Sequence, residues 1–210
     1  TDQAGVNGVV SLGDGGVATL TFEFPIYNGP GPDFAIFENS FSDSFLELAF
    51  VEVSSNGTDF FRFPATSTTP DTAQIDGFGE VDATHLNNLA GKYRAQYGTP
   101  FDLSEMAGIS GLNINSVTHI KLVDCVGSVN PVYGTKDQFD NIVNDPYPTP
   151  FASSGFDLES VGAVHFLNFE QWTSECWQFY RLYPTVLDVW VDVVVTVHIG
   201  VVELLVDGVG

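Results

Sequence analysis

Positive charge is what this sequence has least of. Six Lys and Arg stand against 27 Asp and Glu in 210 residues, a formal net charge of −21. A surface that acidic repels phosphate backbones and anionic headgroups, which argues against nucleic-acid binding and electrostatic membrane binding. It favours cations, as a diffuse atmosphere or as bound calcium, and it also keeps a chain soluble with no partner at all. Cysteine is scarce too. Cys125 and Cys176 are too few for a disulfide scaffold, and leave either one long-range bridge or free thiols, with Cys125 in the apolar run HIKLVDCV. No apolar run reaches the ~18 residues of a membrane span, and the Val-rich stretch near the C-terminus is interrupted by Asp188, Asp192, His198 and Glu203. Thr1-Asp2-Gln3 opens without a basic or apolar leader, so a secreted protein would be in its mature form here. Nucleophile-elbow, zinc-protease and phosphate-loop patterns are also missing, and His85, His119 and His165 are scattered. No catalytic residue is assigned.

What is present is β-sheet material. Hydrophobic residues make up 44% of the chain and Phe alone numbers 18, enough for a packed core. In VATLTFEF, Ala18, Leu20, Phe22 and Phe24 alternate with Val17, Thr19, Thr21 and Glu23, the period of a half-buried strand. DFAIFEN is a short apolar strand ending on Glu38. LELAFVEVS then alternates into Ser55-Asn56-Gly57 and returns as Phe60 to Phe63. Asn-Gly between alternating runs marks a hairpin, because both residues accept the positive φ of a tight turn. VTHIKLVDCVG and FDLESVGAVHFLNF read as later strands. Between 82 and 98, Asp82 or Thr84 caps a run in which Leu86, Leu89 and Tyr93 recur at helical spacing. Gly91 interrupts it, so the segment predicts one short helix or two separate turns. FDLSEM predicts a further helical turn. The long loops 65–81 and 128–155 are where function or mobility is expected.

Several short strands, two long loops and little helix indicate an all-β chain: a jelly-roll-like β-sandwich with a short helical insertion over residues 1–169. Composition shifts after Phe169. Residues 170–179 read as a linker, and 180–210 as a small C-terminal Ig-like β module dominated by Val.

Two polar groups are candidates for binding. Calcium needs several hard oxygen ligands gathered from loops. Asp33, Glu38 and Glu47 lie near the ends of adjacent strands, and Asp157 joins them if the first and last strands are neighbours. The alternative is that Glu38 and Asp157 cap turns by accepting backbone N–H bonds. Asp140, Asn141, Asp145 and Tyr147 form a second cluster, in which a ring to stack on and groups that bind hydroxyls suit ligand recognition. Its alternative is a proline-braced loop with Asx turns. Asp71-Thr72-Ala73, in an exposed Ser/Thr loop, is an acceptor pattern for O-glycosylation at Thr72.

Taken in order, GDGGVATLTFEFPI, NGPGPDFAIFENSF, LELAFVEVSSNGTDFFRFP, DATHLNNLAGKYRAQYGTPFDL, NDPYPTPF and GFDLESVGAVH resemble a family of Bacteroidota cell-surface proteins. The resemblance implies a galactose-binding-type jelly roll. It also implies a place beside TonB-dependent uptake systems, including those for corrinoids. The tail LYPTVLDVWVDVVVTVHIGVVELLVDGVG resembles the type A C-terminal sorting domain of type IX secretion cargo. Tyr183 and Pro184 stand at its start and Asp207 and Gly208 at its later strand, while Thr185-Val186 replaces the usual Asn-Pro and the Arg after the Gly is missing. This resemblance implies recognition by the outer-membrane barrel component of the export machinery. The expectation is therefore a secreted, outer-membrane-displayed protein with an adhesive or ligand-binding domain and an export signal. A corrinoid or glycan capture subunit working with a TonB-dependent receptor is the second expectation, and an extracellular hydrolase the third.

Overall fold

The computed structural model describes residues 8–149 and 154–167, together with the backbone of three later strands. The described residues are all-β and sandwich-like. One antiparallel sheet contains β1 (Val10–Ser11), β3 (Phe34–Glu38), β9 (Thr99–Phe101) and β11 (Asp157–Ala163), in the order β1-β11-β3-β9. The other contains β2 (Val17–Ile26), β4 (Ala49–Ser54), β5 (Phe61–Arg62), β8 (Leu89–Ala90) and β10 (Val117–Asp124), running β2-β10-β4-β5 with β8 also beside β4. A small pair, β6 (Thr66–Ser67) and β7 (Leu86–Asn87), stands apart. β12 (Gln178–Arg181) pairs with β11, and β13 (Asp192–His198) and β14 (Val201–Asp207) form an antiparallel pair that extends the second sheet, β13 lying parallel to β2.

Period-2 patterning builds the core. Leu20 and Phe22 of β2, Val51 and Val53 of β4, and Ile120 and Leu122 of β10 meet Phe34 and Ile36 of β3 and Leu158 and Val161 of β11. Between the sheets Phe34, Phe63 and Phe101 form a ring cluster, with centroids 5.1 to 5.9 Å apart. β4 is buried on both faces. Phe50 points to a second core with Leu46, Leu48, Val81, Leu89 and Val143, so the long loops cover the far side of that sheet. These loops are packed structure. Asn144, fully buried, donates from Nδ2 to the Pro70 and Ala73 carbonyls and accepts at Oδ1 from the Ile75 N–H.

The hairpin forms where expected. Gly57 holds φ 74°, Asn56 Oδ1 accepts from the Thr58 and Asp59 N–H groups, and Val53 pairs with Phe61. The 103–106 turn also forms, as a short 3-10 turn capped by Asp102. Over 82–98, where one short helix or two turns are expected, a single short turn forms. Asp82 caps only the 3-10 turn Ala83–His85, and the chain then goes straight into β7 and β8. The apparent stripe of Leu86 and Leu89 arises because both side chains enter the second core from extended chain. Two bends enforce this: Asn88 has φ 51°, and Gly91 has φ +83° with the Glu47 carbonyl oxygen 1.9 Å from where a Cβ would stand.

Candidate metal centre

Three core rows end on acids. Phe34 and Ile36 continue into Glu38, Ala49 and Val51 extend back to Glu47, and Ile120 and Leu122 run on to Asp124. Alternation aims all three carboxyls inward, at the end of the sandwich where Ser11 pairs with Asp157 and Leu158 with Glu38. Asp145, from the covering loop, is buried with them, and so is Asp157. Asp14 adds a nearby charge from the turn after β1.

Some of their oxygens are satisfied by the main chain. Glu38 Oε2 accepts from the Ser40 N–H at 2.7 Å, and Asp145 Oδ2 from the Leu48 N–H at 3.0 Å. Asp124 accepts from the Gly15 and Phe156 N–H groups, both at 2.8 Å. Glu47 Oε1 and Asp157 Oδ1 are buried with no close hydrogen bond, at residue exposures of only 6% and 9%, although the Gly155 N–H lies toward the Glu47 carboxyl and the Ser11 and Asn39 side chains toward that of Asp157. None of the ion pairs among the described residues reaches these acids. Arg62 and Lys121 serve Glu52, Arg94 serves Asp43, and Lys136 serves Asp140.

Carboxyls packed together without counter-charge resist ionisation. Burial pushes Glu47 from 4.5 to about 8, reinforced by the charges of Asp157 and Asp124. Asp124 is likewise raised to about 8, chiefly by burial and against its two N–H donors, and Asp157 to about 6 by burial. Burial also holds Glu38 and Asp145 well above the ordinary range, with Asp157 and Glu47 adding to Glu38 and Asp124 to Asp145. Such a site takes protons or a hard cation. Among the described residues, no three His, Cys, Asp or Glu side chains already form a metal-ligand set.

Of the four expected ligands, the structure brings Glu38, Glu47 and Asp157 within electrostatic reach of one another and places Asp33 elsewhere. Asp33 is a fully buried brace: its oxygens accept from the Gly29 and Leu103 N–H groups and contact His165 Nδ1 at 2.7 Å. It immediately precedes β3 and Glu38 ends it, so the strand's length separates them. Asp124 is not among the expected residues, and Asp145 is expected in the second cluster instead of here. Asp124 was legible, because it continues the inward phase of Ile120 and Leu122; for Asp145 no local signal exists.

The second expected cluster is not one group. Asp145 belongs to the buried acids, whereas Asp140 is exposed at φ 65° and pairs with Lys136 at 3.6 Å. Asn141 Nδ2 donates to Asp137 Oδ2, and Tyr147 is half-buried before Pro148. Asp137 instead organises the loop, accepting from the Ser67, Phe139 and Asn141 N–H groups. Thr72 is exposed, as a modified residue requires. Asp207 is the last residue of β14, while Tyr183, Pro184, Gly208 and Cys176 lie outside the described residues. Cys125 is a free, buried thiol. No helix among the described residues is long and apolar enough to cross a membrane. Neither a family model, nor a curated protein, nor a solved structure matches the chain.

Proposed function

We propose that the chain is a secreted, non-catalytic cell-surface protein. Its jelly-roll-like domain is stabilised by calcium and binds a ligand or adhesion target, and its Ig-like tail routes it through type IX secretion. The observation that carries the calcium half of this reading is the buried acid cluster in which Glu47 Oε1 and Asp157 Oδ1 lack a close hydrogen bond and no basic side chain among the described residues pairs with the acids. Ionised and buried, that arrangement is costly unless a cation compensates it. Extracellular calcium modules work with Kd of roughly 10⁻⁴–10⁻³ M, concentrations met outside cells. Glu38, Glu47 and Asp157 are the ligands in this reading, with Asp124 and Asp145 adding negative potential behind them.

Isothermal titration of the chelator-stripped chain with calcium is expected to show one site in roughly that affinity range. Glu38→Gln combined with Asp157→Asn is expected to abolish the heat. A wild-type titration without heat sinks the calcium reading. The export half rests on the tail's resemblance at Tyr183, Pro184, Asp207 and Gly208. Deleting residues 180–210 is expected to leave the protein inaccessible to protease added to intact cells. Undiminished surface display of the truncated chain overturns that half alone.

A further inference from the structure

The face of β3 turned away from the core carries a cavity. Ala35 and Phe37, out of phase with Phe34 and Ile36, contribute to a concavity of about 730 Å³ bounded by Tyr93, Tyr97, Pro100 and His165. That volume suits a small molecule.

Three features define what fits it. First, rings line much of it: Tyr93 and Tyr97 are 40% and 58% exposed, and with Lys92 over one ring at 5.7 Å and Arg94 over the other at 5.3 Å each keeps at most one face for a ligand. Second, His165 is fixed from behind. Asp33 already accepts from two backbone N–H groups and takes His165 Nδ1 as a further donor at 2.7 Å. With Nδ1 turned to Asp33, Nε2 is the ring nitrogen left for a ligand. Third, the segment between the tyrosines is held in a costly shape. Gln96 has φ 75°, rare for a residue with a side chain, and Gly98 lies so close to the floor that a Cβ would meet the Phe37 ring at 2.8 Å. Strain of this kind persists where packing fixes a site.

Charge and polarity narrow the ligand further. Lys92 Nζ donates to the Leu86 carbonyl and Arg94 pairs with Asp43, so both bases beside Tyr93 are engaged, and the chain carries −21 overall. Neither base stands unengaged for an acidic ligand. A sugar ring asks for several hydrogen bonds, and this lining offers few polar groups beyond Gln96, His165 and the tyrosine hydroxyls.

We propose that the cavity binds a neutral compound with a conjugated ring and one N–H or O–H donor. The ring stacks among Phe37, Tyr93 and Tyr97, and the donor bonds to His165 Nε2. This names a ligand class for the binding role proposed above and rests on that role, independently of the calcium reading.

Two-dimensional amide NMR of the full chain in calcium, titrated with indole and with 1-methylindole, tests it. Indole is expected to give saturable shifts confined to residues 93–98 and 164–165. The methylated ring, lacking the donor, is expected to bind roughly threefold to tenfold more weakly, the worth of one hydrogen bond. Tyr97→Ala, at an exposed position, is expected to weaken both without lowering the melting temperature. Equal affinity for the two probes, or shifts elsewhere, overturns the proposal. Galactose shifting these amides while indole does not overturns the ring chemistry and leaves ligand binding standing. Silence of every probe at these amides overturns both.

Discussion

Stripping calcium is expected to lower the melting temperature by about 5–10 °C near neutral pH, and by more as pH rises. An ion present at about 100 times its Kd contributes ~2.7 kcal/mol, and each kcal/mol moves a domain of this size by roughly 2–4 °C. The pH dependence follows from the direction of the carboxyl shifts. Glu47 and Asp124 titrate at about 8 in the folded chain and Asp157 at about 6, against 4.5, 3.8 and 3.8 for the free groups. Between those limits the folded state holds more protons than the unfolded one. Without calcium, stability is therefore greatest below the unfolded values and is lost as pH rises through about 6 to about 8. Calcium reverses that trend by replacing the protons, so melts with and without chelator are expected to converge in acid and diverge in base. Glu47→Gln is expected to raise the melting temperature of the stripped protein in base and to remove the calcium response. Superimposable melts with and without chelator at about pH 9 would count decisively against a bound ion.

Phe101→Ala is expected to cost about 3–5 kcal/mol, a large part of the ~5–15 kcal/mol that holds a domain together. Its ring stacks on Phe34 at 5.4 Å and 11°, meets Phe63 edge-on at 5.1 Å, and is 1% exposed. Truncation leaves a hole that β9, a three-residue strand held on β3, is poorly placed to refill. Urea denaturation with an unchanged slope and a lower midpoint checks this. A loss under about 1 kcal/mol means that the site collapses and that Phe34 and Phe63 carry the cluster without it.

Much of the fold is legible locally. Alternation in VATLTFEF and VTHIKLVDCVG, and Asn-Gly between two alternating runs, place β2, β10 and the β4–β5 hairpin because side-chain period and turn φ are properties of adjacent residues. Of the short helix or two turns expected at 82–98 only one turn forms, for a related reason. Leu86 and Leu89 are spaced for a helix, but their burial comes from β4 and the covering loop, which lie far off in the chain.

The site divides the same way. Glu38 and Asp124 fall in the inward phase of their own strands, so the sequence by itself determined that carboxyls end these apolar rows. It also determined the acidity, the aromatic supply of the core and the hairpin. Only the tertiary structure decided that Glu38, Glu47, Asp124, Asp145 and Asp157 share one buried end, that Asp33 leaves them to brace His165, and that Asp145 leaves the surface loop. The reason is register. Pairing Ser11 with Asp157 and Leu158 with Glu38 joins strands remote from each other in the chain, and no local pattern encodes such a contact.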